Sequence, residues 1–436
     1  MRERLRLRAP IVLSCDPSGS VLRDGVVDIE ADGRIGYCGP AAGAIGDAVT
    51  RHCAGILLPG LVNAHAHSPM TVLRGMGGDL PLLRWLHEVI WPAEARMRPS
   101  DIRAGMLLGS VEMLRRGVTT SVEMYFHNDQ LAGAVLEAGS RVVLAAGIID
   151  APGWNWRDLL AEQTSWIDSD GLRFGPGDRV ELGYGPHSAY ALPAEALTMV
   201  GEAARERAAL LHIHVAEAAN EDAVQRERHG SVPRLLESLG VLGDRVLAAH
   251  AVHLSDEDIR ILAEHGVGVA HCPGSNSKLA SGIARLTDLR AAGIPVGIGT
   301  DGPASKDDLD LWQDARLAAL LARLSTMDST VLTAADVLLL ATRGGAEALS
   351  RDDIGALETG RWADIVHVDV DDPAFAAGFD VPDEHLLANL VWAGGCRNVR
   401  DVWVAGEQVV DRGEPTRVDR EKAQAEAGAV TRRLLG

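Results

Sequence analysis

The middle of the chain alternates short apolar runs with longer segments whose apolar residues recur roughly every three or four positions. That is the pattern of strands and crossover helices in a parallel sheet. The apolar runs predict strands over 56–65, 118–124, 141–148, 180–187, 209–214, 245–250, 266–271 and 295–301. Eight is the number that closes a (β/α)8 barrel. Helix starts are marked between them. Ser100-Asp101 opens a periodic run that reaches Arg116-Gly117, and Ser255-Asp256-Glu257-Asp258 is a capping-box-like start for a helix closing at His265-Gly266.

The two ends have a different texture. Arg4, Leu5, Arg6, Leu7 and Arg8 alternate as in a strand. Val26–Glu30 and Arg34–Tyr37 flank Ala31-Asp32-Gly33, a hairpin signal. Near the other end, Ala363–Asp369 reads as a strand, and Val402–Val404 with Gln408–Val410 brackets the turn Ala405-Gly406-Glu407. Arg420 to Leu435 reads as a surface helix. Two β-rich ends around a long middle predict one small sheet domain, from residues 1–56 and 358–436, beside a barrel over 57–357.

Composition narrows the class. With 436 residues, 47% apolar and 24% charged, the chain has material for a large core. Its 42 basic and 61 acidic residues give a net charge of −19, which argues against nucleic acid or an anionic membrane as partner. The basic start Met1-Arg2-Glu3-Arg4 is followed by no apolar signal core, and no apolar run approaches membrane-spanning length. Cys15, Cys38, Cys53, Cys272 and Cys396 are odd in number and scattered, without a Cys-x-x-Cys pair. Neither a disulfide framework nor a thiolate zinc site is suggested, and a reducing cytoplasm is the expected compartment.

Candidate chemistry lies where the predicted strands stop. In order these residues are His65, Glu123, Ile148, His187, His214, His250, His271 and Asp301, so six of eight ends carry His or Asp from a chain with 15 His. Barrel active sites assemble at that end. His65 and His67 are one residue apart at the close of an apolar strand and face the same way. With His214 and Asp301 they supply three imidazoles and a carboxylate, a donor set for one divalent cation. Nitrogen-rich donors favour zinc over magnesium and leave iron and manganese open. Glu217, three residues past His214, is placed to collect a proton from a cation-activated water and pass it on. His250 suits the orientation of that water, and His212 shares the face of His214.

Five motifs then carry a resemblance: Pro59–His67, Pro69–Gly75, His212–Glu217, His271–Leu279 and Gly299–Ser305. From about Leu57 to Asp310 the chain resembles the amidohydrolase superfamily, in the branch of 5′-methylthioadenosine/S-adenosylhomocysteine deaminases and chlorohydrolase-like proteins. The resemblance implies a distorted (β/α)8 barrel, a small β-sandwich from both termini, and one metal on His65, His67, His214 and Asp301. It further implies that Glu217, His250 and Asp301 are catalytic. For the substrate pocket it implies Trp85, Glu94 and His187, with Glu94 on ribose hydroxyls, and Arg157 beyond the loop 151–156. Glu123, Gly274, Ser277 and Lys306 depart from the common family pattern.

The resulting expectation is hydrolytic deamination at C6 of an adenine nucleoside of the methylthioadenosine, S-adenosylhomocysteine, adenosine or 5′-deoxyadenosine type. Alternatives are deamination of another base (8-oxoguanine, a pterin or a cytosine-like ring), or chloro- or aminohydrolysis of a triazine. A metal-free binding scaffold is a third, opposed by the complete donor set. The expected partner is a small-molecule substrate, and the expected assembly a homo-oligomer.

Overall fold

The computed structural model describes residues 3–151 and 153–436; Met1, Arg2 and Pro152 lie outside them. The barrel strands are β1 (Leu61–Ala66), β2 (Val118–Tyr125), β3 (Arg141–Ile148), β4 (Val180–Pro186), β5 (Leu210–Val215), β6 (Val246–His250), β7 (Gly268–His271) and β8 (Val296–Ile298). They pair in that order, in parallel, with the short strand Arg173–Phe174 added to the edge of β4. The ring is drawn together between β1 and β8. A bridge joins Ala66 to Asp301, the Asp301 amide donates to the His65 carbonyl at 2.9 Å, and Asn63 bonds Thr300 at 2.8 and 3.0 Å. Glycine makes this closure possible: a Cβ on Gly299 would sit 2.9 Å from both Cys272 Sγ and His65 Cβ.

The predicted strand over 56–65 is two strands. Gly55–Pro59 pairs with Leu5–Leu13 and with Ile365–Asp369, so it belongs to the terminal sheet and the barrel begins after Gly60. A side chain at Gly60 would fall 2.0 Å from Thr119 Oγ1, so the chain passes from one sheet to the other at a residue without one. The last strand, expected over 295–301, is only three residues long, and the chain leaves it through Gly299 toward the site. The predicted hairpin is present as Val21–Ile29 with Ile35–Pro40, and Val399–Val404 pairs with Glu407–Asp411 around the predicted turn.

The terminal strands form one sheet in which a block of C-terminal strands joins a block of N-terminal strands where Ile365–Asp369 pairs with Gly55–Pro59, and Val49–His52 pairs with Leu5–Leu13 off that path. Alternation assigns its faces. Ile56 and Leu58 join the main core, while Leu57 packs with Leu7, Val27, Ile365 and Trp403 on the other side. The helix Arg420–Leu435 buries Ala423, Ala427 and Leu434 and bonds through Thr431 to the Val72 carbonyl, bracing the turn that follows the first histidine pair.

Sheet and barrel are tied by a buried ion pair. Arg141, at the start of β3, makes two 3.0 Å bonds to Asp364, which also accepts from the Ala405 amide at 2.7 Å. Both charges are almost fully buried, so removing one strands the other in low dielectric. Arg141→Met is expected to lower unfolding free energy by about 3–5 kcal/mol in urea titrations, and the double variant Arg141→Met/Asp364→Leu to recover a large part of it. A single variant as stable as the parent would show that the pair does not tie the two sheets.

Candidate metal and catalytic centre

Strand ends β1, β5, β6 and β8 bring His65, His67, His214, His250 and Asp301 to the floor of one cavity. The ligating nitrogens of His65, His67 and His214 lie within 4.8 Å of one another. Asp301 Oδ1 stands 3.4 Å from His65 Nε2 and 3.3 Å from His67 Nε2. The His250 ring centroid is 5.3 Å from that of His65 and 5.4 Å from that of His214. Ala216, His250 and Asp301 have φ of 48°, 69° and 60°, left-handed conformations that non-glycine residues adopt at a cost of about 1–3 kcal/mol each. Three strained strand ends converging on one point mark a site whose geometry is held against local preference.

The proton on each imidazole is fixed from behind. His67 Nδ1 donates to the Met124 carbonyl at 2.6 Å, and His214 Nδ1 donates to the His187 carbonyl at 2.8 Å. His250 Nδ1 faces Asn276 Oδ1 at 2.9 Å. His65 is held through a relay: His212 Nδ1 donates to the Leu247 carbonyl at 3.0 Å, so its Nε2 accepts from His65 Nδ1 at 2.6 Å. A proton on His65 Nε2 instead would require a doubly protonated His212, and burial holds that ring well below the usual imidazole range. In their neutral forms all four rings therefore carry the proton on Nδ1 and turn Nε2 toward the cluster.

Electrostatics agree with that assignment. Burial lowers His65 to about 3 and pushes His214 well below its ordinary value, so both are neutral at pH 7. Burial opposes ionisation of Asp301, but the surrounding imidazoles of His65, His67 and His250 together outweigh it and hold the carboxyl well below the usual carboxylate range. Its other oxygen accepts from Ser275 at 2.5 Å and Ser305 at 2.9 Å. Burial alone would lower His250, but Glu217 and Asp301 outweigh it and raise the ring. Glu217 follows β5, is 5% exposed, and has Oε1 3.9 Å from His250 Nε2; burial raises its carboxyl.

These residues fit a divalent cation. His65 Nε2 and His250 Nε2 are buried without a hydrogen-bond partner among the described residues. Donors about 2.0–2.1 Å from a zinc at tetrahedral angles stand about 3.3–3.4 Å apart, the separation that Asp301 keeps from both histidines. Neutral imidazoles beside an ionised carboxylate are the protonation state such a cation requires.

Above the floor the cavity has a volume of about 760 Å³, within the range of small-molecule sites. Trp85, Glu94 and His187 line it. Trp85 is fixed by a 3.1 Å bond from its indole N–H to the Met76 carbonyl, and Glu94 accepts from the Tyr125 hydroxyl at 2.6 Å. Burial raises the Glu94 carboxyl despite that bond. Arg157 is the exception, and the expectation for it is corrected. Its backbone starts the helix Trp156–Asp170, capped by Asn155, and its side chain lies over Trp156 and bonds Glu195 at 2.8 Å on an exposed face, outside the cavity wall. Glu123 also serves elsewhere: it is fully buried and accepts from the Ser68 amide at 2.7 Å and hydroxyl at 2.6 Å, fixing the turn after His67.

Sequence reading missed Asn276, Ser275, Ser305 and Tyr125. The first three lie inside the two motifs of residues 271–279 and 299–305, where short polar residues beside a catalytic strand end were the available signal. Tyr125 was hidden because β2 runs one residue past its predicted end at 124.

Residues 56–409 match the model of the amidohydrolase family. A relative from Moorella thermoacetica, named 5-methylthioadenosine/S-adenosylhomocysteine deaminase, is 43% identical over 96% of this chain and 96% of its own length. One from Methanosarcina mazei, named 5′-deoxyadenosine deaminase, is 39% identical over 97% of this chain and 96% of its own. The crystal structure of an adenosine deaminase from Xanthomonas campestris with bound zinc superposes with a TM-score of 0.92 at 36% identity, covering 99% of this chain and 98% of that one. Barrel, converging donors and full-length similarity lead to one statement: this chain belongs to the amidohydrolase family.

Proposed function

We propose that the protein is a metal-dependent hydrolase that deaminates C6 of an adenine nucleoside, giving the inosine analogue and ammonia. The observation that carries the reading is the placement of Glu217 and the His250 Nε2 beside the His65, His67, His214 and Asp301 cluster, on the floor of a cavity walled by apolar and aromatic side chains. The activities named for the deaminase relatives support it.

A divalent cation bound there, zinc by the donor chemistry, would supply Lewis acidity and a lowered water pKa. His65, His67, His214 and Asp301 would hold it. His250, with its proton on Nδ1 and its Nε2 free, accepts the proton of the attacking water and is steadied as a cation by Asp301 and Glu217. Oxygen adds to C6 while Glu217 delivers a proton to the adjacent ring nitrogen. The raised pKa of the buried Glu217 carboxyl suits it to carry that proton. His250 passes the water proton it holds to the exocyclic amine, the C6–N bond breaks with ammonia leaving, and the added C6 hydroxyl returns its proton to Glu217 as the ring takes its 6-oxo form. One water is consumed and one ammonia released.

Glu94 and Tyr125 stand along the same wall and are proposed to hold the ribose. The carboxylate can accept from both hydroxyls of a vicinal diol, with Tyr125 fixing its orientation. Trp85 and His187 close the pocket against the base. The five cysteines are free, in keeping with a reducing cytoplasm as the proposed compartment.

Purified protein given 5′-deoxyadenosine or methylthioadenosine is expected to release one ammonia per nucleoside, with the ultraviolet shift of adenine to hypoxanthine. Turnover confined to 8-oxoguanine, pterins or triazines would overturn the proposal. Glu217→Gln is expected to keep its metal and lower kcat by about 10²–10⁴-fold, the range for loss of a positioned acid–base group. Activity near that of the parent would remove Glu217 from the proton path. Glu94→Ala is expected to raise KM for nucleosides while leaving turnover of free adenine unchanged. Equal losses on both would place Glu94 outside ribose recognition.

A further inference from the structure

The wall of the cavity beyond the Glu94–Tyr125 pair has a composition that bears on which nucleosides enter. The Tyr125 hydroxyl, bonded to Glu94, also faces Met97 Sδ at 3.8 Å. The Phe126 ring follows, 5.7 Å from Tyr125, and stacks on Trp154 at 4.2 Å between centroids. Met97, Phe126 and Trp154 all line the cavity. They form a continuous apolar surface starting at the group assigned to the ribose.

Charge along the lining is one-sided. Glu94, Glu217 and Asp301 line it, and no Arg or Lys does among the described residues. Arg157, three residues past Trp154, is turned outward, stacked over Trp156 at 4.1 Å and bonded to Glu195, and Arg96 and Arg98 on either side of Met97 are exposed and outside the lining, Arg96 bonding the Leu434 carbonyl. His87 and His127 reach the lining as exposed rings at the mouth. A carboxylate brought against Phe126 and Trp154 would lose water with no fixed cation to replace it, which costs free energy. A thioether, methyl or aryl group would bury apolar area on the same surface and gain.

We infer that the site selects adenine nucleosides whose 5′ substituent is uncharged and apolar, and discriminates against those whose 5′ tail carries a carboxylate. The inference rests on the nucleoside-deaminase reading. It makes methylthioadenosine and 5′-deoxyadenosine better substrates than S-adenosylhomocysteine, whose tail ends in an amino acid.

The test is kcat/KM at about pH 8, where imidazoles carry little charge, for methylthioadenosine, 5′-phenylthio-5′-deoxyadenosine and S-adenosylhomocysteine. The phenylthio compound has a bulky uncharged tail, so it separates charge from size. The expected order puts the two uncharged thioethers within about tenfold of each other and S-adenosylhomocysteine about 100-fold below them. Values for S-adenosylhomocysteine within tenfold of methylthioadenosine would overturn the inference, as would rejection of the phenylthio compound to the same degree. Ala151→Arg, which adds a guanidinium to the lining beside Trp154, is expected to raise S-adenosylhomocysteine turnover at least tenfold and leave methylthioadenosine near its parent value. Should no nucleoside be turned over, the deaminase reading fails. The selectivity is then read separately from binding of the same three compounds, by quenching of tryptophan fluorescence from the Trp154 wall.

Discussion

The structure depends on four Nδ1–H groups being held from behind. A neutral imidazole carries one proton, and the nitrogen that bears it decides whether the ring can ligate at Nε2. Here Met124, His187, Leu247 by way of His212, and Asn276 take up the back-side positions. These acceptors come from neighbouring elements, and three of them are backbone carbonyls. The pairing of the strands therefore sets the protonation pattern as well as the positions. Shifting β5 by one residue against its neighbours would turn His212 and His214 away and free both rings.

Such an arrangement is costly to the fold, and the compensations are visible. Left-handed φ at Ala216, His250 and Asp301 aims side chains that relaxed strand ends would direct elsewhere. Ser275 and Ser305 hold the far oxygen of Asp301, so its near oxygen is fixed toward the histidines. Gly299 lets β8 approach β1 closely enough for the Asp301 amide to reach the His65 carbonyl. At the opposite end, Arg141 and Asp364 join the barrel to the terminal sheet, and Gly55–Pro59 runs from that sheet through Gly60 directly into the histidine strand. The terminal sheet thus anchors the strand that carries His65 and leads into His67.

Much of this was legible in the sequence, because barrel strands are continuous apolar runs and their ends carry the rare histidines. Period-2 spacing put His65 and His67 on one face without any coordinates. What could not be read was set by geometry beyond local pattern. The split of 56–65 at Gly60 is set by distant pairing partners, Leu5–Leu13 and Ile365–Asp369 for the first half and Val118–Tyr125 for the second. Asn276, Ser275 and Ser305 act through single hydrogen bonds to residues on other strands, which periodicity does not encode. Arg157 sits close to the pocket in sequence, yet the Asn155 cap starts a helix that turns its side chain outward. Tyr125 required knowing that β2 continues past Met124.

The central claim is that His65, His67, His214 and Asp301 converge on one divalent cation at the barrel mouth. It is tested most directly by diffraction from zinc-loaded crystals at energies on both sides of the zinc edge. One anomalous peak per chain is expected, in contact with the Nε2 atoms of the three histidines and with Asp301 Oδ1. A peak elsewhere, or none at full zinc loading, would contradict it.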